Sequence, residues 1–317
     1  MTFLIPVRNV SRFFDNLTKQ IEANYSLGDE ILFIEDNSTD NTLSLLETWS
    51  QSRSYVIVIQ NRGQAGLISA LNLGLKSATK EWVARFDADD LYSADRILIQ
   101  SRSIIEGTVA IFSDYQFISE SGFPLGTVPS AIHPLQTSLS LRMGNRTAHP
   151  SVIFNRIAAL EAGAYRSQDY LAEDLSLWLR MSRLGDLKSS PEVLLKYRLN
   201  RSSVTLNSQS SSRKMRNQVL AEIGINPSDT KNCLSNFDSL IEMYSGNPDG
   251  EFRKLLFLRD LQSTIQSENK GVFFSKSKDL QRKYLFGCLT SMPRLLQKVF
   301  EKTARDFYRN GIFAFKH

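Results

Sequence analysis

Cysteine and long apolar runs are scarce in this sequence. The 317 residues contain two cysteines, Cys233 and Cys288, too few to predict a disulfide framework or a zinc site with paired cysteine ligands. A reducing compartment is therefore expected. The apolar run at the N-terminus ends at Pro6 and Arg8, so we predict a first β-strand there rather than a signal peptide or a membrane span. No other run has spanning length, and we expect a cytoplasmic protein that is at most peripheral at the inner face of the plasma membrane.

A one-sided charge excess is missing from the first two thirds of the chain. Residues 1–205 hold 20 Lys+Arg against 22 Asp+Glu, whereas residues 206–317 hold 18 against 11. The overall net charge of +5 is thus carried by the second segment. No RNA-binding or zinc-finger signature is present, so we expect no nucleic-acid partner. A basic segment after a near-neutral domain favours an anionic membrane surface as a partner.

The first ninety residues alternate strand-like runs with helical patterns. Between the last two runs, Ile68, Leu71, Leu75 and Ala78 recur at spacings of three and four, which predicts one apolar helical face. Such alternation predicts an α/β fold with a mostly parallel central sheet and helices on both faces. The predicted strands are Phe3–Val7, Ile31–Glu35, Val56–Ile59 and Trp82–Phe86.

The second half of the sequence has a less regular pattern. Turn signals between Asp114 and Pro134 predict long loops. We place the end of the α/β domain near residue 205 and expect a helical, basic C-terminal region over 206–317. Its apolar stripe from Leu285 to Phe300 is flanked by Lys and Arg, and predicts either a helix packed on the body or a membrane-surface helix. The other predicted elements are a strand at Ser151–Phe154, helices at Asn155–Glu161 and Glu173–Leu184, and a strand at Glu192–Leu199.

Polar residues follow each of the four predicted strands, where ligands bind in sheets of this kind. The segment FDADD places Asp87 and Asp89 two residues apart, so an extended backbone would project both carboxylates to one side and let them share a hard divalent cation. A dehalogenase-type phosphatase would instead carry its acidic pair after the first strand. A dinucleotide-binding dehydrogenase or a sugar nucleotidyltransferase would need a Gly-rich turn there, and none is present.

A second acidic pair, Glu173 and Asp174, stands at the start of a predicted helix. The helix dipole favours the charged form of a carboxylate at this end. Asp174 is therefore either an ionised base or simply an N-terminal helix residue.

Seven segments of the sequence carry a family resemblance through their order and spacing. They are FLIPVRN, ILFIEDNSTDNT, NRGQAGLISALNLGLKSA, WVARFDADD, AHPSVIF, AGAYRSQDYLAEDLSLWLRM and LLKYRLNRSSVT. Together they resemble glycosyltransferase family 2, the inverting family with the Rossmann-like GT-A fold, over nearly all of residues 2–205. The resemblance implies transfer of a sugar from a nucleotide-diphosphate donor, expected to be a UDP-sugar, with Mg²⁺ or Mn²⁺ as cofactor. The implied acceptor is a hydroxyl of a saccharide or lipid-linked saccharide in bacterial surface polysaccharide synthesis.

The resemblance also implies site residues. Asp89, helped by Asp87, would bind the metal, and Asp174 would be the catalytic base. On the acceptor side it places Glu173 and His149 together with Trp178, for which a core position is favoured over contact with the acceptor. The residues implied for the nucleotide site are Pro6, Asn9, Glu35, Asp36, Arg62, Asn72, Arg85 and Asp87, with Asp36 favoured over Glu35 for contact with the base.

One segment departs from the family pattern. Many relatives end this domain with Tyr-Arg-x-His, whereas this chain has Asn200 in the place of the histidine. Arg198 and Asn200 are expected near the diphosphate, and the asparagine predicts altered metal dependence. A non-catalytic module that binds nucleotide-sugar or polyanions and retains the fold is the alternative function.

Overall fold

A computed structural model describes residues 1–128, 141, 147–199 and 209–222. Within these residues, nine strands form one sheet in the order β3-β2-β1-β4-β8-β6-β9-β5, and β7 pairs with β6. The strands are β1 Thr2–Val7, β2 Glu30–Glu35, β3 Val56–Gln60, β4 Trp82–Arg85, β5 Leu91–Tyr92, β6 Thr108–Ile118, β7 Pro124–Val128, β8 Ile153–Asn155 and β9 Asp186–Arg198. The helices are α1 Phe14–Asn24, α2 Thr42–Ser50, α3 Leu67–Ser77, α4 Arg96–Ser101, α5 Arg156–Glu161, α6 Glu173–Met181 and α7 Gln209–Glu222.

The N-terminal half of the sheet is parallel. Strands β3, β2, β1 and β4 are neighbours in that order, and each adjacent pair runs in the same direction. All six residues of β2 are buried, as expected of a near-continuous apolar strand covered on both faces. The four predicted strands and the helix predicted from residue 68 are therefore confirmed.

The other half of the sheet is mixed. Strand β8 is antiparallel to both β4 and β6, and β5 is antiparallel to β9, whereas β6 and β9 run parallel. The α/β class is confirmed, and the parallel pairing is concentrated in the N-terminal strands that carry the polar strand ends.

The prediction of long loops after Asp114 is wrong for residues 114–128, which the structure describes. This part of the chain continues β6 and then turns back as β7, an antiparallel hairpin. Buried polar residues, among them Ser113 and Asp114, interrupt the apolar pattern of β6. The strand could therefore not be recognised from the spacing of its apolar residues. The strand predicted at Glu192 also begins earlier, at Asp186.

Helix α7 follows the last strand and belongs to the same compact unit, which extends from Met1 to Gly224. Its residues Val219 and Leu220 are buried, and the helix packs against α6. The Ser212 hydroxyl donates a hydrogen bond to the carbonyl oxygen of Leu171, at 3.0 Å. The part of the chain beyond the last strand thus reaches the loop that precedes α6.

Two predictions fall on residues that the structure does not describe. They concern Asn200 and the apolar stripe from Leu285 to Phe300. Among the described helices, none has both the length and the apolar character needed to cross a membrane. Contact with an anionic membrane surface stays a prediction.

Helix α3 lies unusually close to the sheet at Gly74, and this packing yields a stability prediction. A Cβ atom added there would lie 2.1 Å from Cδ1 of Leu4 and 3.2 Å from Cγ1 of Ile34. We expect Gly74→Ala to lower the free energy of unfolding by about 1–3 kcal/mol, because the core must shift to admit the methyl group. Urea denaturation measures the change, and Lys76→Ala, at an exposed position of the same helix, is the control. A Gly74→Ala protein as stable as the wild type would show that Leu4 moves aside freely.

Candidate active site

A cleft of about 1530 Å³ lies at the carboxyl ends of the parallel strands. It brings together residues that are as far apart in the sequence as Pro6 and Arg216. Glu35, Trp178 and Arg198 are not among its lining residues. The predicted site residues that do line the cleft are Pro6, Asn9, Asp36, Arg62, Asn72, Arg85, Asp87, Asp89, His149, Glu173 and Asp174.

Asp36 forms a rigid, buried anchor at the end of β2. The side-chain amide of Asn61 donates to its Oδ1 at 2.7 Å, and the backbone N–H of Gly66 donates to its Oδ2 at 2.9 Å. Gly66 adopts a φ of 127°, a conformation that favours glycine. Two donors offset the cost of burying the carboxylate, so Asp36 keeps a fixed position in the cleft wall.

Glu35 and Asn9 hold the turn that follows β2. The Glu35 carboxylate accepts from the backbone N–H of Ser38 at 2.5 Å. Asn9, whose φ is 54°, accepts from the Thr39 backbone N–H at 2.7 Å, and its own N–H donates to the Ser38 hydroxyl at 3.0 Å. Glu35 is buried, its carboxylate binds this turn, and it does not line the cleft. These observations favour Asp36 over Glu35 for contact with the base, which stays a prediction.

Arg85 fixes the start of the acidic segment after β4. Its guanidinium group is 1% exposed and donates to Asp87 Oδ1 at 2.6 Å. The same group also donates to the carbonyl oxygen of Phe86. The Asp87 backbone N–H donates to the Tyr92 hydroxyl at 2.6 Å. The Asp87 side chain is therefore held at the cleft by a buried cation.

The next two carboxyl groups, those of Asp89 and Asp90, have raised pKa values. Burial, with a further contribution from Asp87, raises the pKa of Asp89 to about 6. Burial likewise raises the pKa of Asp90 well above its usual value. Asp90 Oδ1 accepts from the Arg198 backbone N–H at 2.7 Å, but its Oδ2 is buried without a hydrogen-bond partner. Such a group of crowded carboxyls favours a nearby cation.

The donor set fits a divalent metal that is shared with a ligand. Asp87 and Asp89 both line the cleft and offer oxygen atoms, which Mg²⁺ and Mn²⁺ prefer. In the described ranges no group of three His, Cys, Asp or Glu side chains is arranged to hold a metal. Magnesium sites of this type use one or two carboxylates together with substrate phosphates and water, so two protein ligands suffice.

Arg198 does not point to the cleft. Its Nε donates to the Asp89 carbonyl oxygen at 2.7 Å, and its Nη1 donates to the carbonyl oxygens of Ser119 and Glu120 at 3.3 and 2.7 Å. These contacts join the acidic segment to the β6–β7 hairpin. The guanidinium group of Arg198 thus binds three backbone carbonyl oxygens, and its contact with a diphosphate stays a prediction.

The second acidic pair begins α6 on another side of the cleft. Glu173 Oε2 accepts from the Leu171 backbone N–H at 2.8 Å, and Asp174 Oδ1 accepts from the Leu175 N–H at 2.7 Å. Burial, together with the charge of Asp174, raises the pKa of Glu173 to about 7. Near neutral pH a large fraction of Glu173 is therefore protonated.

Trp178 is a core residue. Its side chain is fully buried, and its ring packs edge-on against Phe112 and Phe154, with centroids 5.4 Å apart in each case. This burial agrees with the core position that the sequence favoured for Trp178, since no part of the ring is accessible. The ring does pack against His149, at 5.9 Å, and so supports the cleft wall from behind.

Several residues that line the cleft were not predicted from the sequence, among them Tyr165, Ser212 and Arg216. Tyr165 lies inside a segment that carries the family resemblance, and an aromatic residue just after Gly163 was its only signal. Ser212 and Arg216 lie on α7, beyond the predicted end of the domain. Their helical spacing was visible, but not the packing of this helix against α6.

An α/β sheet whose strand ends carry acidic groups around one cleft agrees with the GT-A fold that the sequence resemblance implies. Glycosyl transferase family 2 matches residues 2–156. An uncharacterized glycosyltransferase of Haemophilus influenzae is 30% identical over 271 residues, which cover 77% of this chain and 80% of that protein. The chain belongs to glycosyltransferase family 2.

Other similarities agree with this family. The Escherichia coli UDP-Gal:α-D-GlcNAc-diphosphoundecaprenol β-1,3-galactosyltransferase is 28% identical over 56% of this chain and 64% of that enzyme. The crystal structure of S. aureus TarS 1-349 in complex with UDP-GlcNAc superposes with a TM-score of 0.58 at 15% identity, over 99% of this chain and 93% of that one. The mannosyltransferase PcManGT from Pyrobaculum calidifontis, in complex with GDP-Man and Mn²⁺, gives a TM-score of 0.55 at 14% identity, covering 97% and 80%. These two structures confirm the fold.

The raised pKa of Glu173 predicts a pH-dependent stability difference. Between pH 4.5 and about 7 the unfolded chain loses the Glu173 proton while the folded chain keeps it, so this group lowers wild-type stability as pH rises through that window. Glutamine does not titrate and keeps an oxygen for the Leu171 N–H. We expect Glu173→Gln to gain stability relative to the wild type from pH 4.5 to 8, by up to about 3 kcal/mol.

Urea denaturation at several pH values measures this gain. Glu161→Gln, at an exposed position, is the control for the general effect of removing a carboxylate. A Glu173→Gln difference that stays constant across the pH range would contradict the assigned pKa.

Proposed function

We propose that this glycosyltransferase is an inverting hexosyltransferase that uses a UDP-sugar donor. The acceptor is a hydroxyl group of a saccharide or lipid-linked saccharide, in the synthesis of a bacterial surface polysaccharide. The observation that carries the proposal is the presence in one cleft of two separate carboxylate sets. Asp36, Asp87 and Asp89 follow parallel strands, whereas Asp174 begins a helix.

The relatives support the choice of donor and acceptor. The E. coli relative uses UDP-Gal and a sugar linked to diphosphoundecaprenol, as its name states. The S. aureus TarS structure holds UDP-GlcNAc, and the archaeal mannosyltransferase structure holds GDP-Man. The sequence relative, rather than the fold, therefore favours uridine as the base for this chain.

The donor half of the cleft would hold the nucleotide diphosphate. Asp36 is rigid enough to orient the base, and Arg62 lies in the same wall. Asp89, helped by Asp87, would bind Mg²⁺ or Mn²⁺, as the archaeal neighbour with Mn²⁺ suggests. When bound, the metal neutralises charge on the departing diphosphate. Arg85 keeps Asp87 in place and would add fixed positive charge near the departing diphosphate.

Asp174 would serve the acceptor half as the general base. Inversion requires one in-line displacement, in which the acceptor oxygen bonds to the anomeric carbon as the bond to the diphosphate oxygen breaks. Asp174 takes the acceptor proton, and the electron pair of the broken bond leaves with the nucleotide. Because Glu173 carries its own proton up to a pKa of about 7, it adds little repulsion to the adjacent base.

Replacing the base tests the proposal. We expect Asp174→Asn to lower turnover on the order of a hundredfold or more, because asparagine cannot accept the proton, while UDP affinity stays within about twofold. Transfer from UDP-glucose, UDP-galactose and UDP-GlcNAc to short-chain GlcNAc- and Glc-diphosphate lipids, followed by mass spectrometry, provides the assay. Asp186→Asn, an exposed change at the start of β9, is the control.

Two results would contradict the proposal. Unimpaired turnover by Asp174→Asn would remove the base from the mechanism. A wild-type protein that binds UDP but transfers no sugar would favour the non-catalytic nucleotide-sugar-binding module instead.

A further inference from the structure

Tyr165 occupies the cleft without a role in the chemistry described so far. Its side chain is 3% exposed but still lines the cleft. Its hydroxyl oxygen lies 2.9 Å from Nε2 of His149, which lines the cleft as well. This pair is thus a second polar element of the cleft, separate from the carboxylates.

The backbone at Tyr165 is fixed on two sides. The Asn72 side chain donates to its carbonyl oxygen at 2.8 Å and accepts from its N–H at 3.0 Å. Arg180 donates to the carbonyl oxygens of Ala162 and Ala164, the latter at 2.7 Å. Ala164 has a φ of 52°, a conformation that costs energy for a residue with a Cβ atom. Such a conformation persists only when the surrounding contacts hold it in place.

His149 is fixed in a comparable way and is uncharged. Its ring packs against the buried Trp178. Burial, with a further contribution from Arg85, lowers its pKa well below the usual value, while burial raises the pKa of Tyr165. The pair therefore consists of a neutral imidazole and a protonated phenol. Two neutral groups suit a neutral polar ligand, such as a sugar hydroxyl, better than a phosphate.

The position of Tyr165 joins the two halves of the cleft. Charges that act on its hydroxyl come from Arg85 and Asp87 on the donor side, and from Glu173 and Asp174 on the acceptor side. A ligand group at this point would lie between the donor residues Arg85 and Asp87 and the proposed base, Asp174.

We propose that Tyr165 is a positioning residue that hydrogen-bonds a sugar hydroxyl where the donor and acceptor halves meet, with His149 orienting its hydroxyl group. The inference rests on the proposed function, since it assigns a sugar to this part of the cleft. The hydroxyl belongs either to the transferred sugar or to the acceptor sugar, and the two sources give different kinetics.

Tyr165→Phe removes the hydroxyl and little else. We expect its UDP affinity and thermal midpoint to match the wild type, while transfer falls about tenfold or more, as the loss of one well-placed hydrogen bond predicts. If the bond is to the transferred sugar, hydrolysis of the donor by water falls in parallel. If it is to the acceptor, hydrolysis is unchanged and the acceptor KM rises. Tyr25→Phe is the matched control, because Tyr25 stacks on Tyr55 outside the cleft.

A double-mutant cycle tests the part played by His149. If the imidazole acts through Tyr165, His149→Gln should slow transfer in the wild-type background and have little further effect in Tyr165→Phe. Additive effects of the two changes would overturn the pairing, and normal transfer by Tyr165→Phe would overturn the whole inference.

A readout without turnover separates this inference from the proposed function. The chain has three histidines, so the ¹⁵N NMR signals of the His149 imidazole can be assigned by comparison with His149→Gln. UDP-GlcNAc, UDP-galactose or free GlcNAc should shift the His149 signals beyond the change that UDP causes. Absence of sugar transfer by the wild-type protein would overturn the proposed function. Absence of the His149 shift would overturn the inference about Tyr165.

Discussion

The cleft depends on arginines that hold the acidic segment after β4. Arg85 binds the Asp87 side chain, and Arg198 binds the Asp89 carbonyl oxygen. Arg96 is fully buried beneath them and donates to the Arg85 carbonyl oxygen at 2.9 Å. Carboxylates crowded at the end of a buried strand repel one another and lose hydration. Fixed cations and donors are what keep them in the geometry that a ligand or metal requires.

Arginine serves elsewhere in the structure as a tie between loops. Arg180 holds two carbonyl oxygens before Tyr165, and Arg198 holds two more in the β6–β7 hairpin. The guanidinium group suits this task because its five N–H donors have fixed directions. Most of the cleft is formed by loops at strand ends, and these ties give the loops the order that secondary structure does not supply. The site is thereby formed before any ligand arrives.

Much of the fold was predictable from local pattern. The buried parallel strands form apolar runs, and α3 shows helical periodicity, so both were found. The β6–β7 hairpin was not, because Ser113 and Asp114 are buried polar residues that interrupt the apolar pattern of β6. Eleven of the predicted site residues line the cleft, since polar side chains at the ends of parallel strands meet there.

Residue type alone does not reveal the direction in which a side chain points. Glu35 and Asp36 are adjacent acids, but one faces the turn and the other faces the cleft. Arg198 and Trp178 belong to segments that also contain predicted site residues. The side chain of Arg198 binds backbone carbonyl oxygens, whereas that of Trp178 lies in the core. Tyr165 was missed for a related reason, because its partners Asn72 and His149 come from separate segments that only the folded chain joins.

The most direct measurement is calorimetric titration of UDP into the protein with and without Mn²⁺. The account predicts that Mn²⁺ tightens UDP binding by about tenfold or more, because two carboxylates and the diphosphate together complete a metal site. Asp89→Asn should lose this gain, whereas the exposed change Asp95→Asn should keep it. Equal UDP affinity with and without Mn²⁺, or a gain that survives in Asp89→Asn, would contradict the assignment of the cleft to a metal-bound nucleotide.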